Sequence, residues 1–508
     1  MSTKIIGIEE LKKYKDFSLG YGHFSTIHVG HIRYLKKAKS LSKKLVIGLK
    51  GDFEIKEEKS RYQFNQEERA EALSLLDIAD AIILLKNDEL LEVIKNSSPK
   101  ILVLGSQYEK NTEKGIKDSI SLLSKRGISV IYHGGEVSYF GSELLTSNED
   151  ELEYKRVEEF KSACKRQSLT RDDLLKSIES WRKANLIVIG DTIVDRYVAC
   201  EALGMSAEAP VVVVKEIKNK DFIGGAAIVA SHIKNLGAKC KLISVVGNDD
   251  NGKFIKERLS NEDIKDGIVI DYSRPTTFKK RYLVENQKLF RVSKLEQSQV
   301  DREIEDKLIK ELEISAKDAS GIVISDFVYG VITEKIIGKI QELTKKYNLL
   351  LFGDLQCSSQ VGSITKFKNF SFISPNEKEA RIALHEKDLD LESLSNRIRI
   401  KTNYKMLIMK LGSNGFIAYD FNNDNIINQP FPALSINPID VTGAGDSLLA
   451  VMAVGLSSSQ KMMSTAAIAC CMTALAVERM GNKPIRIEEL ENFIKRRIFF
   501  NHDSKNIL

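Results

Sequence analysis

DVTGAGD, residues 440–446, runs directly into SLLAVMAVGL, residues 447–456, and the pair reads as a glycine-rich turn feeding an apolar, buried helix. Gly443 and Gly445 leave the backbone open to close approach by an anion. The helix that follows turns its unpaired N–H groups and the positive end of its dipole toward the same place, which suits a phosphoryl group in transfer. Asp446, at that helix end, stands where it can accept the proton of an attacking hydroxyl. A bare Gly-x-Gly is more often only a turn that opens a helix, so the weight falls on what surrounds it.

Upstream, apolar runs of strand length alternate with helical stretches: LIVIGD (186–191), LISVVG (242–247), GIVISD (321–326), LLLFGD (349–354), FISPN (372–376) and MLIMKLG (406–412). That rhythm predicts a large α/β domain over 185–508. A second, smaller alternation, LVIGL (45–49), AIILL (81–85), ILVLG (101–105) and ISVIYH (128–133), predicts a doubly wound parallel sheet within residues 1–145. Between them, residues 146–184 are charged and helical in pattern with no strand-like run, and read as a helical connector with Thr170 capping a helix ahead of two acidic residues.

A chain of 508 residues exceeds what one core organises, which agrees with two domains. Lys and Arg outnumber Asp and Glu by only 76 to 70, a net charge of +6, and are interspersed with them. Nucleic acid is therefore not an expected partner, and small phosphorylated molecules suit the mild basic excess better. The cysteines, Cys164, Cys200, Cys240, Cys357, Cys470 and Cys471, lack the spacing of zinc or redox motifs. With no signal-like N-terminus and no apolar run of membrane-spanning length, no membrane partner is expected, and the cytoplasm is the expected compartment.

Five further segments accompany DVTGAGD in fixed order: GDTIVDRY (190–197), MSAEAPVVVV (205–214), FIGGAAIVASHIKNLGA (222–238) with VVGND after it, PTTFKKRYLVENQKLFRV (275–292) and SPNEKEA (374–380). Together they resemble the ribokinase-like (PfkB) carbohydrate kinases, and within them most closely the heptose 7-phosphate kinases of lipopolysaccharide precursor synthesis. The resemblance implies an α/β fold with a small β lid, and magnesium and ATP as the working pair. It makes Asp446 the catalytic base, with Gly443, Ala444 and Gly445 as the anion hole. Asp195, Gly224 and Gly225 would face the sugar, Asn376 and Glu379 would position magnesium and its water shell, and Gly412 and Gly415 would lie along the nucleotide loop. Singly, each has a plain structural reading as a cap, turn or packing contact. The chain also departs from the pattern: Ile228 stands where an asparagine usually contacts sugar hydroxyls, Tyr329 replaces a lysine in SDFVYG, and DLQC (354–357) replaces DPKG.

Near the N-terminus, GHFSTIHVGHIRYLKKAK (22–39) sets His28 and His31 three residues apart at the start of a helix, where two imidazoles can donate to a nucleoside triphosphate as pyrophosphate leaves. Histidines alone are more often solvated or core-satisfied rings. The full His-x-Gly-His, with VIGLKGD (46–52), Glu67 and Arg69 in QEERAEAL and LVLGSQY (102–108), is similar to the nucleotidylyltransferase superfamily. The similarity implies a Rossmann-like domain in which Phe24, Gly30, Asp52 and Arg69 approach the nucleotide. Here too there are departures: Ser25 replaces the usual aspartate, GSQY (105–108) replaces GGDY, and the closing phosphate-contacting motif reads VSYFGSELL (137–145). Lys50, Lys56 and Lys59 could meet a triphosphate, though such lysines usually belong to a solvated face.

The combined expectation is a bifunctional enzyme of activated-sugar (ADP-heptose) synthesis, the transferase-like part first. A sugar phosphate is phosphorylated at its anomeric hydroxyl, and the sugar 1-phosphate is coupled to a nucleotide. A different sugar, a cytidylyl donor, or a non-catalytic nucleotide-binding N-terminal module stand as alternatives, and a homodimer is implied by the resemblance alone.

Overall fold

The computed structural model describes residues 3–24, 27, 29–52, 64–86, 89–105, 108, 114–132, 149–285, 287–356, 364–386, 389–421 and 427–499. The chain divides into two compact units, Met1–Asn148 with Asp388–Ser393, and Glu149–Lys387 with Leu394–Leu508.

The first unit is built on a six-stranded sheet, all of whose pairs are parallel: β1 (Lys4–Ile6), β2 (Phe17–Gly22), β3 (Lys44–Leu49), β4 (Ala81–Leu84), β5 (Ile101–Leu104) and β6 (Ser129–Tyr132), in the order β1-β4-β3-β2-β5-β6. The inner strands β2 to β5 are short, mostly apolar runs because both faces are covered. One face packs with Leu19, Tyr21, Val46 and Leu102, the other with Leu35, Leu45, Ile47 and Val103. The strand order reverses between β2 and β5. The C-terminal end of β2, from which Gly22, His23 and Phe24 lead to the helix Val29–Ser40, therefore opens at the place where doubly wound sheets bind ligands.

Among the described residues, the second unit's main sheet has nine strands in the order β11-β10-β7-β14-β15-β16-β17-β18-β19. They are β7 (Asn185–Gly190), β10 (Lys239–Gly247), β11 (Lys265–Asp271), β14 (Gly321–Asp326), β15 (Leu350–Leu355), β16 (Phe372–Ile373), β17 (Met406–Lys410), β18 (Phe416–Asp420) and β19 (Ile427–Phe431). Pairing is parallel as far as β17 and antiparallel beyond it. A separate four-stranded sheet, β13-β12-β8-β9, forms the small lid from β8 (Thr192–Met205), β9 (Val212–Gly225), β12 (Thr277–Val284) and β13 (Gln287–Lys294).

The stretch read as a connector is two helices, Glu149–Arg166 and Arg171–Glu179, whose inner residues Phe160, Cys164, Leu174 and Ile178, with Trp181 in the 3-10 turn Ser180–Lys183 that follows, are part of the second unit's main core. The Arg156 guanidinium bonds the carbonyls of Ala433 and Ser435, each at 2.7 Å. Thr170 caps the second helix, accepting from the Asp173 N–H at 3.2 Å while Asp173 returns a bond to the Thr170 N–H. Among the described residues no helix is long and apolar enough to cross a membrane.

Candidate active sites

The helix Ala444–Ser457 begins where Gly443 takes a left-handed conformation, φ +84°, and is buried from Asp446 to Leu456. A Cβ at residue 443 would be strained by that conformation and would collide with the Asn482 amide oxygen, so only glycine serves there. Asp446 sits in the first turn, 4% exposed. The Gln356 amide donates to its Oδ1 at 2.9 Å. Beside it lies Asp354, which takes the Lys410 ammonium at 2.8 Å and the Ser374 hydroxyl at 2.9 Å.

Burial, with Asp354 as second cause, pushes the Asp446 carboxyl up to about 7, and Lys410 opposes the rise. The Lys410 ammonium itself is held above the usual lysine range by Asp354 and Glu379, which outweigh its burial. A carboxyl balanced near neutrality at a helix N-terminus can take a proton from a hydroxyl and later release it.

The predicted sugar-facing residues meet on the lid side. Asp195, on β8, is paired with Arg281 of β12 and receives the Asn482 Nδ2 at 3.2 Å. Gly224 packs so closely that a Cβ on it would lie 2.6 Å from Asp195 Oδ2, and the next residue, Gly225 at φ +61°, starts the helix Ala226–Asn235. Ile228 on that helix is fully buried in the apolar core. Tyr329 is 2% exposed, and with Phe327 it carries the Lys279 ammonium over its ring, at 5.1 and 4.8 Å. The SDFVYG loop is held by Asp191, whose carboxylate accepts the N–H groups of Phe327 and Tyr329 at 2.7 and 3.2 Å.

Asn376 caps the helix Glu377–Leu384, and its partner in the cap is Glu379, the two exchanging bonds of 2.8 and 2.9 Å. The predicted metal pair is thus a capping box, set beside Lys410 through a bridge between Asn376 and Lys410. No group of three His, Cys, Asp or Glu able to hold a metal occurs among the described residues. The pair therefore does not fit an ion bound by protein carboxylates, but fits one that keeps its water shell and arrives with a nucleotide. Gly412 and Gly415 lie at the β17–β18 turn, both at positive φ.

Three further groups were not singled out from the sequence. Lys410 ends an apolar strand, a visible signal, since a cation closing a buried strand needs a partner. Asp440 accepts from Tyr197 and Lys288 of the lid, each at 2.6 Å, and from the N–H groups of Thr442 and Gly481 at 3.0 and 3.1 Å, so one buried carboxylate ties lid to anion-hole loop. Asn482 gave no sequence signal, because the residues it meets, Gly443 and Asp195, lie 39 and 287 positions away along the chain.

In the first unit, His31 lies in the helix Val29–Ser40 with its ring 5.2 Å from that of Phe24, which is buried and at φ +52°. Gly30 is in the same helix, while His28 and Ser25 fall outside the described residues, as do Lys56, Lys59 and VSYFGSELL. Arg69 is 2% exposed and works as an internal clasp: its guanidinium bonds the carbonyls of His23 and Lys50 and the Asp52 carboxylate, the last two at 2.9 and 2.8 Å. Asp52 also accepts the Gln66 N–H at 3.1 Å. The Lys50 ammonium lies 5.3 and 5.7 Å over the rings of Tyr21 and Tyr108. Burial, then Lys50 and Arg69, push the His23 imidazole down to about 4. The end of β2 is thus rich in cations and hydrogen-bond donors.

Residues 183–487 match the pfkB family carbohydrate kinases, and residues 19–223 match a family described as cytidylyltransferase-like. The chain belongs to the pfkB family of carbohydrate kinases, with a cytidylyltransferase-like region ahead of the kinase. Among similar curated proteins is the "Bifunctional protein HldE" of Campylobacter jejuni serotype O:2, 31% identical over 64% of this chain and 68% of that one. The protein of the same name from strain 81116 of serotype O:6 is 32% identical over 62% of this chain and 65% of its own length, just under two thirds. In fold, the phosphofructokinase-2 of Escherichia coli, solved with substrates and products, superposes with a TM-score of 0.51 at 14% identity, covering 61% of this chain and 98% of that one.

Proposed function

We propose that the second unit transfers the γ-phosphoryl group of ATP to the anomeric hydroxyl of a heptose 7-phosphate, and that the first couples the resulting sugar 1-phosphate to a nucleotide with release of pyrophosphate. The observation that carries this is the Asp446 carboxyl, held near neutrality beside Gly443 at the start of a buried helix. Asp446 takes the hydroxyl proton as the oxygen attacks the γ-phosphorus and ADP departs. The backbone N–H groups of the turn at residues 443–445, where the Ala444 N–H also reaches the Val441 carbonyl at 3.4 Å, would stabilise the charge on the transferring oxygens. Magnesium enters as part of the ATP substrate, neutralising its phosphates. Asn376 and Glu379 would orient its water shell, and the turn at Gly412 and Gly415 would pass along the nucleotide. Asp195, with Gly224 and Gly225, would hold the sugar.

In the first unit, His28 and His31 would donate to the phosphates as pyrophosphate leaves, with Phe24, Gly30, Asp52 and Arg69 framing the nucleotide. Its cytidylyltransferase-like match favours a second reading in which the donor is CTP; a purely nucleotide-binding module is the third. The cytoplasm suits both substrates. Leu203, Met205, Val212 and Ile217 on the lid are each more than half exposed, which favours a homodimer formed through the lid.

Purified enzyme offered a panel of sugar phosphates with ATP or CTP, followed by phosphorus NMR, tests the whole reading. A heptose 1,7-bisphosphate followed by ADP-heptose is expected. Turnover of another sugar alone would overturn the heptose assignment, and CMP-sugar would overturn the adenylyl one. Absence of pyrophosphate release, unchanged by His31→Ala, would leave only the binding module.

A further inference from the structure

Asn482 is 7% exposed and stands between the acceptor side and the anion hole. Its Nδ2 donates to Asp195 Oδ2 at 3.2 Å and would lie 3.3 Å from a Cβ on Gly224. A carboxylate only accepts hydrogen bonds, so the nitrogen must face Asp195 and the amide oxygen must face the other way. That oxygen lies against Gly443, where any side chain would strike it. It is buried and has no hydrogen-bond partner among the described residues.

A buried amide oxygen without a donor is costly, and such groups in folded proteins mark a ligand or a functional role. The groups around this one define the missing donor. Asp195 is neutralised by Arg281, so a second cation is not called for. What meets Asp195 from the substrate side is a hydroxyl-bearing molecule, and a hydroxyl can donate to an amide oxygen while accepting elsewhere.

We infer that Asn482 recognises the acceptor sugar, its Oδ1 taking a hydroxyl of the sugar held between Asp195 and the anion hole. The inference rests on the kinase reading above, but not on the sugar being a heptose.

The test uses full-length enzyme and the best acceptor in the sugar-phosphate panel, so a wrong heptose assignment shows before any variant is made. Asn482→Leu matches the shape and loses both polar atoms. Asn482→Thr keeps a donor for Asp195 and withdraws the oxygen from Gly443. Both are expected to raise KM for the acceptor about tenfold or more, because a site built to bond a hydroxyl discriminates strongly, with KM for ATP within about twofold of wild type. Acceptors deoxygenated at each non-reacting carbon add a readout that a structural role would not move. One of them should lose about the same factor with wild type and nothing further with the variants, as two halves of one contact do. An unchanged acceptor KM in both variants, or equal losses for every deoxy acceptor in wild type and variants, overturns the inference. Should the leucine variant fail to fold, the threonine variant decides it.

Discussion

Both units set a helix start beyond parallel strands, yet they arrange charge there in opposite ways. In the second unit the centre is a carboxyl: Asp446, with Asp354 and Asp195 nearby, offset by Lys410, Arg281 and Lys279. In the first unit the end of β2 gathers Lys50, Arg69 and His23, with Asp52 engaged by Arg69. A near-neutral carboxyl suits a reaction that must remove a proton from an alcohol. A cationic, donor-rich pocket suits one in which a phosphate oxygen attacks and the work is to stabilise leaving pyrophosphate. Charge sign at the helix start is thus where the two proposed phosphate chemistries differ on similar α/β scaffolds.

The contrast is broken most directly at Asp446. Asp446→Asn should lower sugar-dependent ADP formation by about a thousandfold while pyrophosphate release by the first unit continues at the wild-type rate; parallel assays of one preparation check both. A loss in both assays would end the idea of two independent chemistries.

The next effect is on pH. With Asp446 as the proposed base, kcat/KM of the kinase should fall about tenfold per pH unit below about 7, whereas pyrophosphate release should not share that limb. Stability runs the other way for this group. Its folded value lies above the unfolded 3.8, so its contribution to folding is full below that value and is lost as pH rises through about 7. Denaturant titrations of wild type and Asp446→Asn between these limits measure the difference.

Arg69→Ala sharpens the comparison from the other side. Removing the clasp takes one donor each from the His23 carbonyl, the Lys50 carbonyl and the Asp52 carboxylate, and should destabilise the first unit by about 2–4 kcal/mol, read as an earlier first transition in calorimetry with kinase turnover unaffected. The smallest effect is expected of Thr170→Ala, about 1 kcal/mol from the lost cap. Because the helix it caps packs into the kinase core, the later transition should move rather than the earlier one.

Strand-length apolar runs foretold both sheets well, since parallel strands covered on two faces must be apolar throughout. The glycine signatures likewise pointed to Gly443 and Gly225, whose backbone conformations exclude side chains. The connector was legible as helices but not as core: a charged amphipathic pattern shows one apolar stripe and cannot say what the stripe will cover. Asn376 and Glu379 were legible as a pair, and the capping box they form is equally encoded by that spacing.

The amino-acid order by itself determined the two α/β units, the phosphate-facing turn and its aspartate, because these depend on local periodicity and on residues a few positions apart. Only the tertiary structure decided which charges offset one another. Asp354 meets Lys410 across 56 residues, Arg281 meets Asp195 across 86, and Asn482 reaches Asp195 across 287. The proton affinity of Asp446 is a product of those meetings and of its burial, and neither is written in the sequence around it.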